Sequence, residues 1–209
     1  MRAILFDLDG VLVHSQGAWF RLGNQAASDL GGHPVDWPIF CKTFGQGSEA
    51  DVSLLGLSCT AEELDEYYAR TFSRFREHVR VEPDAREVLL RLRAMSLELA
   101  VVTNTVSRLA LEIVAGAGLE DLFEHLLGAD QVKSAKPAPD LLHLALERLG
   151  VGASEAVMVG DSVYDEQAAS GAKVRFVGFR RDGDRRVESL SELPVLVMGE
   201  QAGSLVRPS

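Results

Sequence analysis

The sequence has few cysteines and no long apolar run, and each of these absences excludes a class of protein. The two cysteines, Cys41 and Cys59, lack the spacing of a metal site, and a disulfide framework is not expected in a chain of 209 residues. No apolar stretch is long enough to span a bilayer. The amino terminus lacks the pattern of a signal peptide, because aspartates follow a short apolar run. We therefore expect a cytoplasmic protein that does not bind membranes.

Basic residues are also scarce relative to acidic ones. The chain has 21 lysines and arginines against 31 aspartates and glutamates, which gives a net charge of −10. This excess argues against nucleic acid as a partner, since binding a polyphosphate needs basic patches. The densest basic cluster is interrupted by Asp182 and Asp184, and we predict that it is a solvated loop; it comprises Arg180, Arg181, Arg185 and Arg186.

The pattern of apolar residues predicts an α/β fold. The composition, 46% apolar and 25% charged, is that of a globular protein with one domain or one domain carrying a modest insert. From residue 84 onward strand-like and helix-like segments alternate, which favours a mainly parallel sheet covered by helices on both faces. We predict strands at 97–102, 157–159, 174–177 and 195–197, and a weakly ordered tail at 199–209.

Residues 15–82 differ from the rest of the chain. They contain no convincing apolar strand, and apolar residues recur at helical spacing around Leu64, Tyr68 and Phe72. We predict a core formed by 1–14 and 83–209 and a small helical insert at 15–82, which would act as a lid over the site. A structural extension with no part in substrate handling is the alternative.

Two aspartates directly follow the first predicted strand. Asp7 and Asp9 end the apolar run that begins at Ala3 and precede Gly10. The carboxyl edge of a parallel sheet is where open α/β proteins bind ligands. Two anions so close to each other need a cation, a shared proton or a nearby lysine. The pair therefore indicates a candidate site, although aspartates also simply cap turns.

Three further signals stand at or near the ends of predicted strands: Thr103-Asn104, Lys136-Pro137 and Gly160-Asp161-x-x-x-Asp165. In this order, and together with Asp7-x-Asp9, they closely resemble the haloacid dehalogenase superfamily, in particular its members similar to phosphoglycolate phosphatase and β-phosphoglucomutase. The resemblance covers nearly the whole chain. It implies a Rossmann-like parallel sheet core, and it implies that residues 15–82 are an all-helical cap inserted between the first two motifs.

The resemblance also implies roles for the acidic residues. Asp7 would be the nucleophile that attacks phosphorus, and Asp9 would protonate the leaving group and then deprotonate water. A Mg²⁺ cofactor would be held by the Asp7 carboxylate, the backbone carbonyl of Asp9 and Asp161, since magnesium prefers oxygen ligands. Asp165 would orient these ligands from behind or supply a further one.

The remaining motif residues would hold the phosphate. Lys136 would offset the carboxylates and hold Asp7 against the phosphate. Thr103 would hydrogen-bond a phosphoryl oxygen, with the backbone amide of Asn104 close by at a helix start. Taken singly, each motif has a simpler explanation, such as a helix cap for Thr103-Asn104 or a solvated loop lysine for Lys136. Their joint occurrence favours a catalytic site.

The implied activity is that of a magnesium-dependent phosphatase, similar to phosphoglycolate phosphatases, which hydrolyses a small phosphorylated metabolite through an aspartyl-phosphate intermediate. Asp9 argues against dehalogenation, because displacing a halide needs no protonated leaving group. Related mutases carry a histidine and a lysine where this chain has Trp19 and Phe44, which favours hydrolysis. A sugar-phosphate mutase stays the alternative, and a non-catalytic binding module is a lesser one. Trp19, Phe44 and Gln46 are candidate substrate contacts; His14 receives no role, and a monomer and a dimer are both open.

Overall fold

The computed structural model describes residues 1–204, and its centre is a parallel β-sheet. In chain order the strands are β1 (Ala3–Phe6), β2 (Val13–His14), β3 (Arg80–Val81), β4 (Glu98–Val102), β5 (His125–Leu127), β6 (Ala156–Gly160), β7 (Arg175–Phe179) and β8 (Arg185–Val187). Six of them form one sheet in the order β5-β4-β1-β6-β7-β8, with every neighbouring pair parallel. The predicted α/β fold class is confirmed.

Strand β1 lies at the point where the order in which the chain adds strands to the sheet reverses. Ala3 is in register with Glu98 of β4 on one side and with Ala156 of β6 on the other. The chain first builds outward through β4 and β5, and then returns to the other side of β1 to add β6, β7 and β8. In open α/β sheets ligands bind at the carboxyl ends of strands at such a reversal. The sequence that follows β1 is therefore placed where a site is expected.

Helices cover both faces of the sheet. They are α1 (Gln16–Asp29), α2 (Trp37–Thr43), α3 (Ser48–Leu55), α4 (Ala61–Thr71), α5 (Ala85–Ala94), α6 (Ser107–Gly116), α7 (Asp140–Leu149), α8 (Val163–Ala172) and α9 (Leu193–Ser204). Successive strand residues point to opposite faces, so Ile4 and Phe6 enter one apolar cluster while Ala3 and Leu5 enter the other. Short 3₁₀ segments lie at Phe72–Arg74, Arg76–His78, Glu120–Leu122, Ala129–Gln131, Ala153–Glu155 and Leu190–Glu192. No helix within residues 1–204 is long and apolar enough to cross a membrane.

Helices α1 to α4 lie between β2 and β3, which pair antiparallel with Val13 opposite Val81. Helix α4 shows the expected periodicity, with Leu64 and Tyr68 buried on one side, and it starts with a capping box between Thr60 and Glu63. The interior of this insert is continuous with one of the two sheet clusters. The helices between β2 and β3 are therefore packed onto the core rather than tethered to it.

Two predictions about the carboxyl-terminal part are wrong. Residues 195–197 lie in α9 instead of a strand, because Leu193 and Val197 are buried one helical turn apart while Val195 is 63% exposed. Arg185 and Arg186, predicted to lie in a solvated loop, are in strand β8 at the edge of the sheet. Its arginines are exposed, and Arg186 pairs with Asp182 and Glu188, so the strand carries little apolar signal.

The predicted tail is also partly wrong, since α9 continues to Ser204; residues 205–209 lie outside the described residues. Strands β2, β3 and β5 were not predicted, and β2 has only two residues. Arg80 and Val81 are exposed, and β5 has only three residues, of which Leu127 alone is buried, so neither presents an apolar run.

Candidate active site

Three strand ends meet beside β1 and bring the motif residues together. Asp7 directly follows β1, Thr103 directly follows β4 and Asp161 directly follows β6. The backbone N–H of Asp7 donates to the carbonyl oxygen of Val159 over 2.9 Å, so the parallel ladder still fixes the chain at this residue. The side chains at these three positions are therefore held by the sheet itself and not by a flexible loop.

Lys136 reaches this edge from the segment that precedes α7. Its Nζ donates to Asp7 Oδ1 over 2.7 Å, to Asp165 Oδ1 over 2.6 Å and to the carbonyl oxygen of Val102 over 2.9 Å. Lys136 is only 4% exposed. Burial lowers its pKa, but the charges of Asp165 and Asp7 outweigh burial and raise the pKa above its ordinary value. All three ammonium protons are engaged, and the lysine stays charged.

The carboxylates outnumber this lysine. Oxygen atoms of Asp7, Asp161 and Asp165 lie within 4.8 Å of one another. Burial, followed by the charge of Asp165, raises the pKa of Asp7 well above its ordinary range, although Lys136 opposes the rise. The same causes raise the pKa of Asp161 to about 7. These shifts indicate uncompensated negative charge, and a cluster of oxygen donors with such charge fits a hard divalent cation.

Asp165 is fully buried, and hydrogen bonds hold both of its carboxylate oxygens. Its Oδ1 accepts from Lys136, and its Oδ2 accepts from the backbone N–H and the hydroxyl of Ser162. The capping box that Ser162 and Asp165 form starts helix α8. A Cβ at Gly160 would lie 2.4 Å from the Asp165 Cβ, which explains the glycine before Asp161. Asp165 thus joins the helix start to Lys136.

Asp9 is held from both sides of the cavity. Its Oδ1 accepts from the hydroxyl of Ser15 and, over 2.9 Å, from Trp19 Nε1; its Oδ2 accepts from Thr105 Oγ1 over 2.9 Å. Sequence reasoning did not find Ser15 or Thr105. The only signal in the sequence was that Thr105 follows Thr103-Asn104 and that Ser15 follows the strand-like segment Leu12-Val13-His14. Three donors fix the direction of the Asp9 carboxylate.

Asn104 lies in a different position relative to helix α6 from the one predicted, whereas Thr103 lies at the cavity. Helix α6 begins at Ser107, so the prediction that Asn104 lies at a helix start is wrong. The Asn104 side chain instead accepts from the backbone N–H of Lys136 and donates to its carbonyl oxygen, over 2.9 and 2.8 Å. It also donates to the carbonyl oxygen of Gly45 over 2.9 Å. The Thr103 hydroxyl accepts from the backbone N–H of Thr105, which leaves its own proton available to a ligand.

A cavity of about 220 Å³ opens over these groups. Its core end is lined by every motif residue with a predicted role except the fully buried Asp165, and its opposite end by residues from the segment that contains α1 to α4. Trp19 and Phe44, predicted as substrate contacts, line it; Gln46, predicted with them, is not among its lining residues within the described part of the chain. His14 is bonded to Glu82, which also pairs with Arg180, and it lines a neighbouring groove.

Comparisons with known proteins identify the family of this chain. The model of the haloacid dehalogenase-like hydrolase family matches residues 4–179. A phosphoglycolate phosphatase of Colwellia psychrerythraea is 33% identical over 186 residues, which cover 84% of this chain and 82% of that protein. A phosphorylated carbohydrates phosphatase of Thermotoga maritima is 30% identical over 182 residues, covering 83% and 82%. The crystal structure of a hydrolase from Pseudomonas syringae superposes with a TM-score of 0.80 at 24% identity, covering 95% of this chain and 99% of that one.

Proposed function

Because the chain belongs to the haloacid dehalogenase-like hydrolases, we propose that it is a magnesium-dependent phosphatase that releases phosphate from a small phosphorylated metabolite. The observation that carries the proposal is the environment of Asp7. This carboxylate follows the central strand, is 7% exposed, is bonded to a charged lysine and faces a cavity. A buried, oriented carboxylate at the core end of a small pocket fits a nucleophile better than a structural role.

In the first step an oxygen of Asp7 would attack phosphorus. The new oxygen–phosphorus bond forms as the bond between phosphorus and the leaving oxygen breaks, which gives an aspartyl-phosphate and an alkoxide. Lys136 occupies Oδ1 of Asp7, and Oδ2 accepts no hydrogen bond from the described residues, so Oδ2 is the oxygen free to attack. The lysine would thereby both hold the carboxylate and balance its charge.

Asp9 would move the proton in both steps. It donates a proton to the departing alkoxide, and it then removes one from the water that attacks the aspartyl-phosphate. That attack breaks the bond between phosphorus and Asp7 and releases inorganic phosphate. The contacts with Ser15, Trp19 and Thr105 would keep the Asp9 carboxylate aimed at the leaving oxygen through both transfers.

Magnesium fits the donor set at this edge of the sheet. Asp7 and Asp161 would hold it together with the backbone carbonyl of Asp9, while Asp165, already bonded to Lys136 and Ser162, would support them from behind. When bound, the ion would supply positive charge that binds the phosphate and favours the ionised form of Asp7. Thr103 would donate its hydroxyl proton to a phosphoryl oxygen. Asn104 would fix the backbone of Lys136.

We further propose that residues 15–82 act as a cap over the core formed by 1–14 and 83–209. Two contacts support this: Trp19 of α1 donates to Asp9, and the carbonyl oxygen of Gly45 accepts from Asn104. Trp19 and Phe44 also occupy the cavity wall in the places where related mutases would carry a histidine and a lysine, which favours transfer of the phosphoryl group to water over transfer to a sugar.

The test is phosphate release from a generic aryl phosphate in the presence of Mg²⁺, with the wild-type protein and the Asp7→Asn variant. We expect Asp7→Asn to abolish turnover, and Asp182→Asn, which changes an aspartate that is 95% exposed, to leave it unchanged. Turnover by Asp7→Asn near the wild-type level would contradict the mechanism. An isomerised sugar phosphate in place of free phosphate would favour the mutase instead. No release from any member of a broad metabolite panel would favour the binding module.

A further inference from the structure

The end of the cavity that faces away from Asp7 should determine which phosphate ester is accepted. With phosphorus beside Asp7, the rest of the substrate must extend toward the wall formed by α1 to α4. This wall, the distal wall, comprises Trp19, Phe40, Phe44, Ser48, Asp51, Asp65 and Tyr68. It contains four aromatic side chains and two carboxylates, so its chemistry differs from that of the core end.

The two carboxylates of the distal wall have hydroxyl partners but no cationic ones. Tyr68 Oη donates to Asp51 Oδ2 over 2.9 Å, and Ser48 Oγ donates to Asp65 Oδ1. Neither aspartate takes part in an ion pair with a side chain described between residues 1 and 199, and the second oxygen of each accepts no hydrogen bond from that part of the chain. Each carboxylate therefore keeps one oxygen for a hydrogen-bond donor from a ligand.

Burial supports this interpretation. It raises the pKa of Asp51 to about 6, a rise that the hydrogen bond from Tyr68 opposes, and it also raises the pKa of Asp65. The nearby charge of Asp65 contributes to the shift at Asp51. Carboxylates with raised pKa values lack compensating positive charge, and a donor brought by a ligand would supply it.

No described residue that lines the cavity could compensate a second anion on the substrate. Lys136 is the one lysine or arginine among the described residues that line the cavity. Its three ammonium protons are already donated to Asp7, Asp165 and the carbonyl oxygen of Val102. A carboxylate or a second phosphate on the leaving group would enter a space that already contains two carboxylates. Like charges disfavour each other there, whereas hydroxyl or ammonium groups would find acceptors.

On the basis of the proposed phosphatase function, we propose that the substrate's leaving group carries hydrogen-bond donors and no negative charge, and that Asp51 and Asp65 select it. Two sources have this chemistry, a polyol and an amino alcohol. The aromatic side chains fit either one, since an aromatic face packs against a carbon skeleton and also attracts a cation. A small anionic acid phosphate, such as the substrate after which several relatives are named, would be a poor substrate.

The experiment compares kcat/KM for three small phosphate esters with Mg²⁺: glycerol 3-phosphate, O-phosphoethanolamine and 2-phosphoglycolate. We expect one of the first two to exceed 2-phosphoglycolate by about 10-fold or more, which is the contribution of one hydrogen bond to a charged group. The better of these two identifies the source. We expect Asp51→Asn and Asp65→Asn each to reduce that preference, mainly by raising KM for the donor-bearing ester.

Two controls separate this proposal from its premise. Glu66→Gln removes an exposed charge beside Asp65 on the same helix and should leave the preference unchanged. Hydrolysis of an aryl phosphate that depends on Asp7 tests the phosphatase function alone and reports whether each variant is folded. The proposal is overturned if 2-phosphoglycolate is the best of the three esters, if the enzyme cleaves the aryl phosphate but none of the three, or if neither asparagine variant changes the preference.

Discussion

Replacing Lys136 by methionine tests whether the charge balance of the site is as the structure indicates. Methionine keeps most of the volume but removes the ammonium that contacts Asp7 and Asp165. The lysine side chain is 3% exposed and its partners 10% and 0%, so solvent screens these pairs little. Removing one partner of such a buried pair costs about 3–5 kcal/mol. Against a typical free energy of unfolding of about 5–15 kcal/mol, the loss is large.

The pH dependence of this loss gives a second, independent test. Burial raises the pKa of Asp7 and the charge of Lys136 lowers it, so we expect this pKa to be higher still in the variant. In the pH range below this raised value and above the ordinary value of about 4, the folded state binds more protons than the unfolded state. The folded variant therefore gains stability as the pH falls through this range. The difference in the free energy of unfolding between variant and wild type should therefore become smaller as the pH falls.

Urea unfolding in metal-free buffer at about pH 7.5 and about pH 5.5 measures both effects. The double variant Lys136→Met/Asp165→Asn removes one of the two orphaned charges and should be less destabilised than Lys136→Met alone. A loss below about 1 kcal/mol at the higher pH, as for an exposed ion pair, would refute the reasoning. So would a loss that is the same at both pH values.

Three further predictions concern the metal site and Asp9. Mg²⁺ binding near pH 7 should release protons, because burial raises the pKa of Asp161 to about 7. Titration calorimetry in buffers of different ionisation enthalpy measures this release. A binding heat that does not depend on the buffer would contradict it. Gly10→Ala should weaken Mg²⁺ binding about 10-fold or more, because a Cβ at this position (φ 96°) would lie 2.1 Å from Asp161 Oδ2. Gly118→Ala, with φ 67° and open space around it, is the matched control for strain in a Mg²⁺ titration, and equal effects would argue against the clash. Trp19→Phe removes a donor to Asp9 and should lower kcat about 10-fold for alkyl phosphates but less for aryl phosphates, whose leaving groups need no proton; equal losses would speak against a role in positioning Asp9.

The sequence predicted those strands that are buried on both faces of the sheet, and it did not predict the strands that are not buried in this way. The central strands are apolar runs because helices cover both faces, and the 156–160 and 175–179 strands were recognised for that reason. Arg185–Val187 pairs on one edge only and exposes two arginines, so its composition is that of a loop. For residues 195–197 the sequence predicted a strand where the structure has a helix. Their valines favour a strand locally, but burial of Leu193 and Val197 on one helix face decides the outcome.

The candidate site divides in the same way. The seven motif residues, from Asp7 to Asp165, lie at one edge of the sheet, because Asp7, Thr103 and Asp161 directly follow strands and Lys136 reaches them from the segment before α7. Of the three predicted substrate contacts, Trp19 and Phe44 line the cavity and Gln46 is not among its described lining residues. The partners of Asp9 could not be predicted, since Trp19 and Thr105 approach it from separate elements and only the packing of α1 on the core joins them. Asp51 and Asp65 carry no motif, and their position in the cavity depends on how α3 and α4 pack.

The contact between Trp19 and Asp9 also gives the protein a built-in optical reporter. Trp19 and Trp37 are its two tryptophans. Trp37 is 43% exposed on α2, whereas the Trp19 indole lies in the cavity wall, packed against Tyr68 and Phe72. A Trp37→Phe variant therefore keeps a single tryptophan, whose emission depends on the hydrogen bond to Asp9 and on the polarity of the cavity. Occupancy of the pocket can then be followed without a label and without turnover.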